Sequence, residues 1–202
     1  MASRARLRSS LSRRWRNRSK MTDKRNTDQA TLLSRLRDSE AHFVSAASVP
    51  EELATVCPDA SCWSILQITE HLGTTERGMF GRLGVAEANV AEPNLAFDET
   101  ITHIGRDRSS KRNAPERVHP TGKFSSIKGA LDHFRQARRE TIDFIEKNTD
   151  DLRKKKVIHP IGEMDGHQLF LLMSAHAERH AQQVEEVKLS PAYQAAQQRR
   201  AS

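Results

Sequence analysis

Apolar residues recur at steps of three and four positions in four stretches of the chain, which is the pattern of amphipathic α-helices. The stretches are residues 28–47, 61–88, 125–148 and 165–188, and none alternates apolar and polar residues as a strand would. Their apolar stripes contain, in chain order, Leu32, Leu36, Phe43, Ala47; Ile65, Ile68, Leu72, Met79, Leu83; Ile127, Leu131, Phe134, Ile142, Ile145; and Leu169, Leu172, Met173, Val184, Val187. The pattern therefore predicts an all-α fold.

The connections between these stretches set the expected topology. Residues 88–123 separate the second stretch from the third, and a loop of that length in a compact domain usually carries function or crosses the fold. Ser61 is a candidate N-cap for the second helix, and the segment His159-Pro160-Ile161-Gly162 interrupts the chain before the fourth. We predict a four-helix bundle with a long crossover between helices 2 and 3. Short links favour antiparallel neighbours, whereas the long crossover permits an up-down-down-up order.

Positive charge is concentrated at the N-terminus. The chain has a formal net charge of +7, but residues 1–20 contain eight Arg and Lys and no acidic residue, so the rest is close to neutral. A near-neutral domain lacks the broad basic surface that binds nucleic acid, so any contact with nucleic acid would be made by the basic N-terminal segment. We predict a disordered Arg/Ser-rich extension over 1–25, a folded domain over 26–189 and a disordered tail over 190–202. The basic segment is interpreted as an upstream translation start before Met21, with a transit peptide or a solvated tail as alternatives.

Cysteine usage and hydropathy bear on the compartment. Cys57 and Cys62 are five residues apart, which is neither a disulfide framework nor a CxxC spacing. No apolar run approaches the ~20 residues that cross a bilayer, and the N-terminus lacks a secretory signal. We expect a cytoplasmic protein without membrane contact.

Three histidines fall on the apolar stripes. His176 and His180 are four residues apart and share one face of the fourth helix, and His71 follows Ile68 by three residues in the second. Burying an imidazole without a partner costs on the order of 1–3 kcal/mol, so inward histidines need an explanation. One divalent ion held by three imidazoles supplies it and leaves a coordination position for water or substrate, as in catalytic sites. The alternative is that they are hydrogen-bonded core residues.

Neighbouring residues narrow the chemistry. Ala177 stands where an HExxH metalloprotease carries its general base, and Glu178 is rotated outward or toward a neighbouring helix. Gln183, three residues after His180, is a candidate to hydrogen-bond a ligating imidazole, with a surface or interface amide as the alternative. We interpret His103, His119, His133 and His159 as solvated and place His167 on the opposite helix face. The arginines at 135, 138 and 139 are interpreted as a coat on the helix surface, with contact to an anionic substrate as the alternative.

The order and spacing of several segments resemble the DinB/YfiT-like superfamily of metalloenzymes. The segments are Trp63-Ser64-Ile65-Leu66-Gln67-Ile68-Thr69-Glu70-His71-Leu72, Ala114-Pro115-Glu116, Pro120-Thr121-Gly122, Phe134-Arg135-Gln136-Ala137-Arg138, His159-Pro160-Ile161-Gly162 and His176-Ala177-Glu178-Arg179-His180-Ala181-Gln182-Gln183. The resemblance implies an up-down-down-up four-helix bundle, frequent homodimers, and a zinc- or nickel-type ion on His71, His176 and His180.

Members of this superfamily include thiol S-transferases that use low-molecular-weight thiols, thiol-dependent isomerases, and proteins with no established reaction. We therefore expect a divalent-metal-dependent enzyme that activates a thiol or water to act on a small molecule, in the manner of a thiol S-transferase or a hydrolase. The alternative from another class is a non-catalytic metal- or ligand-binding bundle that acts in sensing or interaction.

Overall fold

The computed structural model describes residues 26–201. Its helices are α1 (26–47), α2 (Glu51–Ala54), α3 (Ile65–Leu83), α4 (Ala96–Arg106), α5 (Ile127–Lys147), α6 (Gly166–Lys188) and α7 (Pro191–Ala201). Its strands are β1 (Glu87–Ala88), β2 (Lys155–His159) and β3 (Gly162–Asp165), and short 3₁₀ turns occupy Glu116–Val118 and Leu152–Lys154. Within this part of the chain, no helix is long and apolar enough to cross a membrane.

The helices α1, α3, α5 and α6 form the predicted four-helix bundle. Glu76 contacts Arg138, and Phe80 lies 5.4 Å from Phe144 between ring centroids, so contacts advance along α3 and α5 together. These two helices are therefore parallel, which requires the chain to cross the fold between them. The other two helices run the opposite way. Along α1, Gln29 contacts Ile145 and the later Phe43 contacts the earlier Phe134 of α5, so these two helices are antiparallel. Along α6, Gly166 lies near Leu83 and the later His180 contacts the earlier His71 of α3, so these two are antiparallel as well.

The core contains the residues that the apolar stripes predict. Every stripe residue is buried except Leu83, which is partly buried against the same core. Each fully buried Leu, Ile, Val, Phe or Met side chain contributes roughly 1.5–3 kcal/mol, so these stripes explain why the helices pack in this arrangement.

Capping residues determine where two of the long helices begin. Ser64, not Ser61, caps α3, because its hydroxyl accepts from the Gln67 amide while the Gln67 side chain accepts from the Ser64 amide. The prediction for Ser61 is wrong because Ser61 instead donates its amide N–H to Asp59 at 2.7 Å. Asp165 forms the same reciprocal arrangement at the predicted start of α6.

The crossover contains a helix that the sequence pattern missed. Helix α4 lies against α6, and Gly105 allows the close approach, since a Cβ at this position would lie 2.8 Å from the Ala175 Cβ. Phe97, Ile101 and Ile104 recur at helical spacing, but this stripe covers only eight residues, and the prolines and glycines around it favour a loop. After α4, residues 107–126 return to the start of α5, and we call residues 107–123 the crossover loop.

A small antiparallel sheet, which the sequence pattern did not indicate, accompanies the helical bundle. Its order is β1-β2-β3, with Val157 paired to Met164. Both side chains are buried, whereas their neighbours Ile158 and Glu163 are exposed. Strands of two, five and four residues are too short to show a clear alternation against the basic residues around them.

The C-terminal segment is ordered over its described residues, so the prediction of a disordered tail over 190–202 is wrong there. Pro191–Ala201 form α7, with Pro191 at the first helical position, where its missing N–H has no intrahelical role. Tyr193 is only 4% exposed and packs into the core, which anchors an otherwise polar helix. The predicted extension over 1–25 lies outside the described residues.

Arg138 lies at the centre of the bundle rather than in the predicted surface coat. Its side chain is fully buried and pairs with Glu76 at 2.6 Å. It also donates to the Leu36 carbonyl at 2.7 Å, to the Ser39 hydroxyl at 2.8 Å and to the Met173 carbonyl at 3.4 Å. We call this the Glu76–Arg138 cluster, and it joins α1, α3, α5 and α6. By contrast, Arg139 is exposed and Arg135 partly so.

Candidate metal centre

The structure brings together the three histidines that the sequence singled out. One ring nitrogen from each of His71, His176 and His180 lies within 4.8 Å of the other two. The ring centroids are 4.8 Å apart for His71 and His180, 5.6 Å for His71 and His176, and 4.4 Å for His176 and His180. We call these residues the histidine cluster.

The spacing of the ring nitrogens fits a shared ion. The Nε2 atoms of His176 and His180 are 3.1 Å apart. Two imidazoles bound tetrahedrally to one zinc at about 2.0–2.1 Å have nitrogens roughly 3.3 Å apart. The widest separation, 4.8 Å, exceeds this value by roughly 1.5 Å, so an ion shared by all three rings requires the imidazoles to turn inward by that amount.

Hydrogen bonds on the far side of two rings determine which nitrogen is free. The His71 Nδ1 lies 2.7 Å from the Val118 carbonyl oxygen, and the His180 Nδ1 lies 2.8 Å from the Gln183 side-chain oxygen. Both oxygens act only as acceptors, so each Nδ1 carries the proton and each Nε2 presents a lone pair. Such outer hydrogen bonds are a regular feature of histidines that bind metal. The structure thus places Gln183 against His180, where the three-residue spacing predicts it.

The histidine cluster is held in its neutral form. Burial lowers the pKa of His71, which is opposed by the Val118 hydrogen bond, and it lowers the pKa values of His176 and His180 well below 6.5. Repulsion between the histidines lowers these pKa values further. The charge that His71 would carry lowers the pKa of His176, and the charges of His176 and His71 lower the pKa of His180. Neutral imidazole is the form that binds metal, so these rings are available near pH 7 without losing a proton.

Glu70 is a positioning residue that sequence reasoning missed. Its buried carboxylate accepts from the Thr121 amide at 2.8 Å and hydroxyl at 2.9 Å, and from the amides of Gly122 at 3.2 Å and Lys123 at 3.4 Å. Burial alone raises the pKa of Glu70, but these donors outweigh it and the net pKa is lowered. Glu70 and His71 therefore hold the crossover loop against α3 from consecutive positions. Its only sequence signal is its place directly before His71.

Aromatic and hydroxyl side chains border the cluster. The Trp63 ring centroid lies 4.9 Å from that of His71, and the Thr75 hydroxyl lies 3.5 Å from the His71 Nε2. His176 is the one partly exposed member of the cluster, whereas His71 and His180 are buried. Access from solvent therefore lies on the His176 side.

Arg179 was also missed, although it stands between two cluster members. It is only 7% exposed, and its Nη2 donates to the Ser110 carbonyl oxygen at 3.0 Å. Its Nη1 has no hydrogen-bond partner among the described residues. Burial, and then the positive charges of Arg108 and Arg112, lower the pKa of its guanidinium, while Asp107 and Glu186 oppose this shift. Its own charge lowers the pKa values of His176 and His180.

The other histidines lie outside the cluster. His103 and His119 are exposed as predicted, but His133 and His159 are partly buried. Burial, with the charges of Arg82 and Arg117, lowers the pKa of His159 to about 4. His167 is buried on another side of α6, where it lines a separate cavity of about 430 Å³ between α1, α4 and α6. Glu178 faces its neighbours as predicted, within 3.3 Å of His42 and 3.7 Å of Arg106.

Fold and site together define a helical bundle with a buried three-histidine cluster. The model of the DinB superfamily matches residues 21–184, and the chain belongs to this superfamily. A solved structure with the same fold is YfiT from Bacillus subtilis, described as "a probable metal-dependent hydrolase with an unusual four-helix bundle topology". The two chains are 14% identical with a TM-score of 0.52, over 79% of this chain and 85% of YfiT. No curated protein sequence matches the chain significantly.

Proposed function

We propose that this protein is a metal-dependent enzyme in which His71, His176 and His180 bind one divalent cation. The observation that carries the proposal is the convergence of three neutral imidazoles from two helices, with one nitrogen from each within 4.8 Å of the others. Imidazole ligands suit zinc and nickel, which are the ions we propose. The description of YfiT as a probable metal-dependent hydrolase supports the same class for a chain of the same fold.

Three protein ligands leave room for a further ligand, which is the usual arrangement of a catalytic site. When bound, such an ion supplies Lewis acidity, which lowers the pKa of a water or thiol and yields a nucleophile near neutral pH. The nucleophile is therefore water in a hydrolase or a low-molecular-weight thiol in an S-transferase. Both act on a small-molecule substrate that enters beside His176.

The chain's own residues orient and shield this chemistry. The Val118 carbonyl and the Gln183 side chain fix the ring orientation of His71 and His180, so the ligand nitrogens are placed before any ion binds. The Trp63 ring covers one side of His71 and limits access of bulk water. The Thr75 hydroxyl, 3.5 Å from the His71 Nε2, is placed to exchange a hydrogen bond with the nucleophile.

Turnover assays on untagged, metal-loaded protein test the proposal. A hydrolase cleaves members of an ester and amide panel in water alone. An S-transferase consumes an electrophile only when a thiol such as cysteine or glutathione is added. Either activity should be lost in His176→Ala and kept in His103→Ala, because His103 is exposed and outside the cluster.

The alternative is a non-catalytic metal-binding bundle. It predicts no turnover with either panel, together with metal-dependent changes in stability or oligomeric state. That combination would remove the enzyme from the proposal and leave the metal site.

A further inference from the structure

The guanidinium of Arg179 is almost entirely removed from solvent. The residue is 7% exposed and uses Nη2 for one hydrogen bond, to the Ser110 carbonyl oxygen. Nη1 has no acceptor within the described residues. Because an arginine is always protonated and offers five N–H donors, a buried N–H without an acceptor calls for a ligand at that position.

The acidic groups nearby are already engaged by other arginines. Glu186 accepts two hydrogen bonds from Arg108, at 3.0 and 2.7 Å. Asp107 lies 3.5 Å from Arg112. Two carboxylates thus balance two guanidinium groups, and Arg179 is left without a counter-charge of its own. Burial of an unpaired charge is strongly unfavourable, and a bound anion would supply the counter-charge that Arg179 lacks.

Arg179 also adjoins the histidine cluster. It follows His176 by three residues and precedes His180 by one on α6. The crossover loop that accepts its hydrogen bond at Ser110 continues to Val118, whose carbonyl oxygen contacts His71. A single loop therefore contacts the unpaired guanidinium at one end and the cluster at the other.

We propose that Arg179 binds an anionic group of the substrate, a carboxylate or a phosphate, beside the metal centre. Arg108 and Arg112 add positive charge around it, and guanidinium recognises both groups through charge-assisted hydrogen bonds. The inference rests on the proposed function, because it assigns a substrate class to the same site. Holding the anionic end at Arg179 leaves the rest of the substrate against the imidazoles.

Anion binding to metal-free protein tests this assignment without involving the metal. The metal is removed on a chelating resin, because soluble chelators are themselves polyanions. Melting temperature is then followed against sodium acetate in one arm and inorganic phosphate in another, each compared with chloride at equal ionic strength. We expect a saturable rise of about 5 °C in one arm, which identifies the group as a carboxylate or a phosphate.

Arg179→Gln should lose this rise, while Arg139→Gln, which changes an exposed arginine on α5, should keep it. Arg112→Gln provides a second variant if Arg179→Gln does not fold, because Arg112 is 45% exposed, and it should weaken anion binding severalfold. An equal rise in Arg179→Gln, an unchanged response in Arg112→Gln, or no rise above chloride in the natural protein overturns the proposal. The proposed metal site is judged separately, by metal content.

Discussion

Two buried polar clusters connect α3 to α6, and they differ in how completely the chain provides hydrogen-bond partners for their polar groups. In the Glu76–Arg138 cluster, the guanidinium donates to a carboxylate, two backbone carbonyls and a hydroxyl. In the histidine cluster, the chain satisfies the outer nitrogens of His71 and His180, while the Nε2 atoms of His176 and His180 face each other at 3.1 Å.

This difference separates a structural cluster from a functional one. Arg138, on α5, hydrogen-bonds to groups on the other three long helices and so fixes the relative positions of all four. The inner nitrogens of the imidazoles have weaker partners: the Nε2 atoms of His176 and His180 share one hydrogen bond, and the His71 Nε2 lies 3.5 Å from the Thr75 hydroxyl. A cation is the ligand that suits several neutral nitrogens held this close together. Breaking the first cluster should therefore damage the fold, and breaking the second should damage binding.

The largest effect is expected from Arg138→Met. It leaves Glu76 as an unpaired carboxylate in the core, and losing one partner of a buried pair costs about 3–5 kcal/mol. Urea unfolding measures the loss. The control Arg77→Ala removes the partly exposed pair with Glu140 and should cost no more than about 1 kcal/mol. If Arg138→Met lowers the free energy of unfolding no more than Arg77→Ala does, the Glu76–Arg138 cluster does not stabilise the bundle.

The histidine cluster should make metal-free stability depend on pH. The pKa of each cluster histidine is lower in the folded chain than its usual 6.5, so the unfolded chain binds more protons below about pH 6.5. Stability is full above that pH and falls as the pH drops toward the folded-state pKa values, by about 1.4 kcal/mol per pH unit for each histidine.

Urea unfolding between pH 7.5 and 5 measures this dependence. The triple variant His71→Leu, His176→Leu and His180→Leu should show a shallower slope. His133 and His159 also have lowered pKa values, but they contribute equally to both proteins. Equal slopes would mean that the cluster is not held neutral by burial.

Gln183→Ala tests the hydrogen bond that orients the His180 ring. It removes the acceptor that orients His180, and loss of such a group typically weakens metal affinity 10–100-fold. Competition with a chromophoric chelator measures the affinity. Gln182→Ala is the matched control, because it removes the neighbouring amide and leaves the His180 contact intact. Equal affinities in both variants would deny Gln183 this role.

The smallest effect is expected from Glu70→Gln. The neutral amide keeps the shape of the side chain but accepts hydrogen bonds less strongly than the carboxylate, so the crossover loop should open more readily. Amide hydrogen exchange at Thr121, Gly122 and Lys123 should accelerate about tenfold, which corresponds to about 1.4 kcal/mol. Unchanged exchange at these amides would show that the loop is held by other contacts.

Helical periodicity predicts the bundle because each long helix buries a continuous stripe. It misses α4, the strands and α7 because these elements are short and bury only one or a few side chains each, such as Ile101, Val157, Met164 and Tyr193. Their conformation depends on tertiary contacts that no local pattern records.

The same reasoning explains which site residues are predictable. The histidines and Gln183 are found because residues three and four apart share a helix face. Glu70 and Arg179 could not be predicted in this way, because their partners are backbone groups of a loop distant in sequence. Arg138 did carry a signal: it lies four residues from both Phe134 and Ile142 on the buried stripe, but its charge suggested the surface.

Metal content is the most direct test of the central claim. Untagged protein supplied with zinc or nickel should contain about one equivalent per chain by elemental analysis, because three imidazoles define a single site. His71→Ala, His176→Ala and His180→Ala should each lower that content sharply, while His103→Ala should not. Full content in all three cluster variants, or none in the natural protein, would contradict the account.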